Sequence, residues 1–176
     1  MLLRMNSCES IFLDLSARKL RLHAGRIDNC LGRLTDEQVW ARGAENENAV
    51  GNLVLHLCGN VCQWIVSGIG GQPDVRRRDA EFAARGDVAV ADLAAHQRGV
   101  VEEAVTVIET LPSNRLAEPL TVQGYNLTVL EAIYSVVEHF SGHTGQIIYA
   151  TKMLTGEDLG FYNHLRAKTP HAERTP

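Results

Sequence analysis

Apolar residues recur along most of this chain at alternating steps of four and three, the period of a helix with one face turned to a core. Leu13, Ala17, Leu20, Ala24, Ile27, Leu31 and Leu34 form the first such stripe, and Asn6 or Ser7 can cap its start. Phe12, Leu15 and Leu22 fall off the stripe, where they could serve a dimer contact, and His23 flanks it and is expected at the surface. Thr35 to Gln38 reads as a capping box for a short helix ending near Ala41 or Arg42. Asn46-Glu47-Asn48 breaks the pattern and can start a second long helix, which runs to about Ile69 before Gly70-Gly71 closes it. Leu53, Leu57, Val61, Trp64 and Ile65 are its apolar face.

Gln72 to about Val88 is rich in charge and contains Pro73 and Gly86, so it reads as a linker. A third helix, with Asp87 as a candidate cap, carries Leu93, Gln97, Val100, Ala104, Ile108 and Leu111, and puts His96 at its polar edge. Pro112-Ser113-Asn114 ends it. Leu116 to Leu127 alternates weakly around Gly124, as a small hairpin or an extended loop would. Thr128 to Glu131 is a capping box for the fourth helix, Gly156 stops that helix, and Asp158 to Tyr162 is expected to fold back on the rest. Four long helical patterns without a convincing set of strands predict an all-α four-helix bundle. A single domain is expected over 1–165, with a flexible polar tail over 166–176.

Composition narrows the function classes. A length of 176 residues suits one domain with a sizeable core. A formal net charge of −4 without a basic stripe argues against nucleic acid as the main partner. No apolar run is long enough to cross a bilayer, so no membrane role is expected, and no secretory signal follows Met1-Leu2-Leu3-Arg4. The four cysteines form no Cys-x-x-Cys pair. Free thiols in a reducing cytoplasm are the expectation.

The chemistry gathers in Val136 to Gln146 on the fourth helix. His139 and His143 are four apart, so they stack on one face within reach of one metal ion. Ala132, Val136, His139, His143, Gln146, Ala150 and Met153 keep the four-three alternation, which predicts that both imidazoles face partner helices. Hydrogen-bonded core histidines are the plainer alternative. There is no H-E-x-x-H, and Glu138 points about 100° away from the histidine face, so a zincin-type peptidase is not supported. Gln146, one turn beyond His143, could orient a ligand or steady a metal shell. Cys58 and Cys62 lie roughly 200° and 240° round their helix from His56, and read as small hydrophobes. Arg76-Arg77-Arg78 is most simply a solvated charge run; Arg76 and Arg78 could instead contact an anionic group of a substrate.

Three stretches carry a resemblance to the DinB-like (YfiT-type) superfamily of metal-dependent four-helix-bundle enzymes. Asn52-Leu53-Val54-Leu55-His56-Leu57, followed by Asn60 and Trp64, resembles the family's second helix. Arg76 to Phe82 resembles a linker that recurs in one subfamily, and His139-x-x-x-His143-x-Gly145-Gln146-Ile147 resembles the fourth-helix motif. The match covers most of the chain up to Phe161. It implies a bundle with a crossover connection, and a His56, His139, His143 triad that binds nickel, zinc or a similar divalent ion. Family members with known activity include bacillithiol transferases and a mycothiol-dependent maleylpyruvate isomerase. The resemblance therefore leads to the expectation of a metal-dependent transferase or isomerase that joins a low-molecular-weight thiol to a small electrophile. The alternative is a non-catalytic, dimeric helical protein with a metal-binding or stress-response role.

Overall fold

The computed structural model describes residues 7–166; Asn6 and the predicted tail beyond residue 166 lie outside the described residues. Four long helices make the bundle: α1 (Cys8–Leu31), α3 (Val50–Val61, continued by a π-helical segment Cys62–Ile69), α5 (Val90–Thr110) and α6 (Val129–Thr155). Short helices α2 (Asp36–Trp40) and α4 (Arg78–Ala83) sit in the first two connections, and a hairpin, β1 (Pro119–Val122) and β2 (Tyr125–Thr128), in the third. Both α1 and α3 pack chiefly against α5 and α6. Consequently α1 and α3 stand diagonally, and the chain crosses the bundle between them, as the predicted crossover requires.

Local chemistry sets the boundaries. The Ser7 side chain caps α1, and Thr35 with Gln38 and Thr128 with Glu131 form reciprocal capping boxes on α2 and α6. The second long helix begins later than Asn46–Asn48: its N-cap is Ala49, whose N–H donates to Oδ1 of Asn52 at 3.1 Å. Likewise Ala89, not Asp87, caps α5. The ambiguous Leu116–Leu127 stretch resolves into the hairpin. Gln123 and Gly124 both take positive φ, 52° and 82°, which is the two-residue turn that matches strand twist. After α6, Leu159 is buried against the core and Phe161 packs beside it, so the chain does fold back.

The predicted stripes of α1, α3 and α5 are buried throughout. Gln97 on α5 is fully buried, and neither its Oε1 nor its Nε2 finds a partner among the described residues. An unpaired buried amide costs on the order of 1–3 kcal/mol. Gln97→Met keeps the shape and removes that cost, so thermal unfolding should move up by several degrees (about 2–4 °C per kcal/mol at this size). A variant that melts lower would show that the amide has a stabilising partner.

His23 is not at the surface. It is 8% exposed, and forms part of a cavity of about 340 Å³ between α1, α6 and the returning segment. Burial, then Arg26 and Lys19, push it down to about 4 from an ordinary 6.5. Lys152 and Asp158 face it from the other walls. Above pH 6.5 both folded and unfolded chains hold it neutral. Between 6.5 and about 4 only the unfolded chain takes the proton, so stability drains away as pH falls, by about 3 kcal/mol in all. Urea unfolding at pH 7 and pH 4.5 should show His23→Leu losing markedly less stability than the wild type; equal losses would count against this.

Candidate metal centre

Two helices supply the three histidines. On α6 the buried stripe is Val129, Ala132, Ile133, Val136, Phe140, Thr144, Ile147 and Thr151. The seam predicted through His139, His143, Gln146 and Met153 is therefore turned from the core. Both histidines are half-buried, Gln146 is exposed, and Met153 is 70% exposed. The reason lies in the step from Val136 to Phe140: a large aromatic wins the core, and His139 is left about 100° aside. His56, by contrast, is buried on α3. The imidazoles meet at the groove between the two helices rather than inside the bundle.

There they converge. The Nε2 atoms of His56 and His139 are 3.0 Å apart, and one ligating atom from each of the three histidines lies within 4.8 Å of the others. Ring centres are 4.5 Å apart for His139 and His143, and 5.1 and 5.2 Å from His56 to each of them. Bonds of ~2.0–2.1 Å to a tetrahedral ion put nitrogens roughly 3.3 Å apart, so small ring movements bring all three onto one centre. The donor set fits as well. Burial, then the neighbouring His143 and His56, hold His139 near 4, and burial also pushes His56 down. Both are neutral imidazoles near pH 7, which is the ligating form.

Second nitrogens are engaged from behind. His143 Nδ1 donates to Oε1 of Gln146 at 2.7 Å, leaving Nε2 free to ligate. Gln146 therefore steadies a histidine rather than reaching into the cleft. His56 Nδ1 lies 3.1 Å from Oε2 of Glu81, a residue on α4. The Arg76–Arg78 stretch is not a uniform solvated run. Arg76 is tucked in with its side chain 3% exposed, paired with Glu81 and donating to Gln63 Oε1 at 2.9 Å. Arg77 is exposed, and Arg78 stacks its guanidinium 5.0 Å above the ring centre of Phe82, which itself packs on His56. Cys58 and Cys62 are free thiols outside the histidine cluster, as the helix angles predicted; burial raises both.

In front of His56 and His139 opens a cleft of about 740 Å³. Its walls also include Trp64 from the π-helical segment, Tyr125 and Gln123 from the hairpin, and Arg76, Arg78, Ser135, Val136 and Glu138. Trp64 Nε1 donates to Oε1 of Gln123 at 3.3 Å, which ties the hairpin over the cleft. Asn60, also in the wall, has a buried Oδ1 without a partner among the described residues.

Sequence reading identified all three histidines but missed Glu81, Phe82 and the hairpin wall. One signal for Glu81 was present. Gly59 interrupts α3 one turn beyond His56, on its face, where glycine costs ~1 kcal/mol and so marks a close approach.

Comparison with known proteins supports the fold. A crystal structure of a conserved protein from Enterococcus faecalis matches with a TM-score of 0.67 at 15% identity, covering 82% of this chain and 97% of that one. A DinB-like protein from Bacillus subtilis matches at 0.65 and 16% identity, over 84% and 97% of the two chains. A second DinB-like protein, from Bacillus cereus, matches at 0.63 and 15% identity, over 78% and 89%. No curated protein matches the sequence. At these identities the likeness is one of fold. Residues 7–165 match a family model described as "Protein of unknown function (DUF1572)", and the chain belongs to that family within the DinB-like fold.

Proposed function

We propose that this protein is a metal-dependent enzyme, a transferase or isomerase that works with a low-molecular-weight thiol on a small electrophilic substrate. One observation carries the reading: three imidazoles converge beside an open cleft whose wall includes His56 and His139, rather than in a sealed core. Three protein ligands with an open side is the arrangement of catalytic rather than structural sites. His56, His139 and His143 would hold the ion, with nickel or zinc the favoured identities. An ion held there would lower the pKa of a bound thiol or water toward neutral.

The chain's own residues do the rest. Trp64 and Tyr125, with ring centres 6.0 Å apart, offer an apolar wall for the body of a substrate. Arg78, stacked on Phe82, has no hydrogen-bond acceptor among the described residues and can take an anionic group at the mouth, whereas Arg76 is committed to Glu81 and Gln63. Glu138, exposed in the cleft wall, is a carboxylate able to take a proton from a bound substrate. A cytoplasmic setting suits the four free cysteines and a thiol cosubstrate.

Metal analysis of untagged protein is the first test, followed by thiol-dependent consumption of an electrophile by metal-loaded and chelated protein. A stoichiometric ion and metal-dependent turnover are expected. An ion held with no turnover for any thiol would favour the non-catalytic reading, and no ion at all would end both metal readings.

We also propose a homodimer through α1. Phe12 is packed on the core and Leu22 is half-buried, so the predicted patch shrinks to Leu15; the structure adds Ile11 one turn before it, at 39% and 50% exposed. Sedimentation at micromolar concentration should give twice 19.4 kDa, and Leu15→Glu should return the single-chain mass. A wild-type monomer would dismiss the contact.

A further inference from the structure

Glu81 is 8% exposed, a depth at which a carboxylate needs a reason to be. It accepts from Arg76 at both oxygens, Nε to Oε1 at 2.7 Å and Nη2 to Oε2 at 2.9 Å. A buried ion pair of this kind seldom adds net stability, because desolvation offsets the attraction. Its seat has a cost too. A Cβ on Gly59 would lie 2.0 Å from Glu81 Oε1 and 2.9 Å from Arg76 Nε, so α3 carries a mid-helix glycine where the pair docks.

What the pair achieves is at His56. Nδ1 of His56 is 3.1 Å from Glu81 Oε2 and also 3.1 Å from Arg76 Nη2. Both contacts cannot be hydrogen bonds to one nitrogen. A lone pair on Nδ1 would face a carboxylate that has no proton to give. A proton on Nδ1 gives Glu81 Oε2 a charge-assisted bond, whereas Arg76 Nη2, which has two N–H groups, already holds that carboxylate as its charged acceptor and does not depend on Nδ1. The second arrangement wins, and it leaves the lone pair of His56 on Nε2, aimed at His139.

We propose that Arg76 and Glu81 form a positioning pair, seated on Gly59, that fixes His56 as the Nδ1–H tautomer with Nε2 presented for metal. The inference deepens the metal-binding reading above and rests on it for its consequence, though not for the tautomer itself. Carboxylates behind metal-bound histidines fix ring orientation and raise ligand basicity, and their loss typically weakens binding 10–100-fold.

Two measurements test it. Two-bond proton–nitrogen spectra of histidine-labelled, metal-free protein report the tautomer, and zinc competition against a chromophoric chelator reports affinity. His56 of the wild type should be the Nδ1–H form. Gly59→Ala should displace the carboxylate, shift His56 toward Nε2–H and weaken zinc binding about 10–100-fold. The helical signal should hold, since the end of the Glu81 side chain can swing aside. Glu81→Gln, which keeps shape and acceptor, should weaken zinc about 10-fold, the low end of that range. Combining it with Gly59→Ala should add little, because both remove one contact. An Nε2–H His56 in the wild type, or folded variants with wild-type zinc affinity, would overturn the proposal. If the wild type binds no zinc, the metal reading falls and the tautomer alone decides this one.

Discussion

Stripping the metal-loaded protein with chelator should lower its melting temperature yet leave the helical circular dichroism at 25 °C in place. The stripes of four long helices are buried, and a domain of ~150 residues removes roughly 70% of its unfolded-chain surface from water without help from an ion. The vacated site is also largely satisfied. His56 keeps its bond to Glu81, His143 keeps Gln146, and His139 faces an open cleft where water can reach it. Metal should then act by mass action, worth about 2.7 kcal/mol at a free ion level 100-fold above Kd. At about 2–4 °C per kcal/mol for a chain of this size, loss of the ion should move the midpoint by roughly 5–10 °C. His139→Ala should behave like permanently stripped protein: same helical content, no stoichiometric ion, and no response of the midpoint to chelator. Unfolding by chelator at 25 °C would make the site structural, as in small zinc domains whose cores cannot stand alone.

How much of this was legible in the sequence depended on the range of the forces involved. The bundle was legible because burial writes a period into each helix, and capping writes fixed offsets such as Thr128 to Glu131. His139 and His143 were legible as a pair because four residues is one turn. Their face was misjudged by one position, since the stripe through Val136 continues equally well to His139 or Phe140. Only the competition between a ring that loses water gladly and one that does not settles it. Arg76 read as part of a solvated run or as a substrate contact, and Glu81 drew no role, because local pattern cannot show that a six-residue helix docks a carboxylate onto α3. His23 read as a flanking surface residue because the segment that covers it, Asp158 to Tyr162, lies far along the chain. In each case the missing information was a tertiary contact on a polar residue.

Asn52→Ala should be among the most damaging single changes outside the hydrophobic core, and it should also weaken the metal site it does not touch. Asn52 is fully buried and uses its whole hydrogen-bonding capacity. Its Oδ1 accepts from the Ala49 N–H at the start of α3 and from Arg42. Its Nδ2 donates to the carbonyls of Glu81 at 2.8 Å and Ala84 at 3.1 Å, at the end of α4. An isolated helix of six residues does not persist in water, so α4 exists because it is held. Truncation to alanine strands a buried N–H, a guanidinium contact and helix-end carbonyls together. At ~1–3 kcal/mol for each unsatisfied group, a loss on the order of 3 kcal/mol or more is expected in urea unfolding. The same release frees Glu81 from behind His56, so zinc affinity should fall by about 10-fold or more even where the protein remains folded. Asn52→Asp separates the two effects. It keeps the acceptor for Ala49 and Arg42 but turns the donor toward α4 into an oxygen that repels its carbonyls. Stability should suffer less than in the alanine variant, while zinc affinity should fall as far. If both variants bind zinc as the wild type does, α4 is not the element that holds His56 in place.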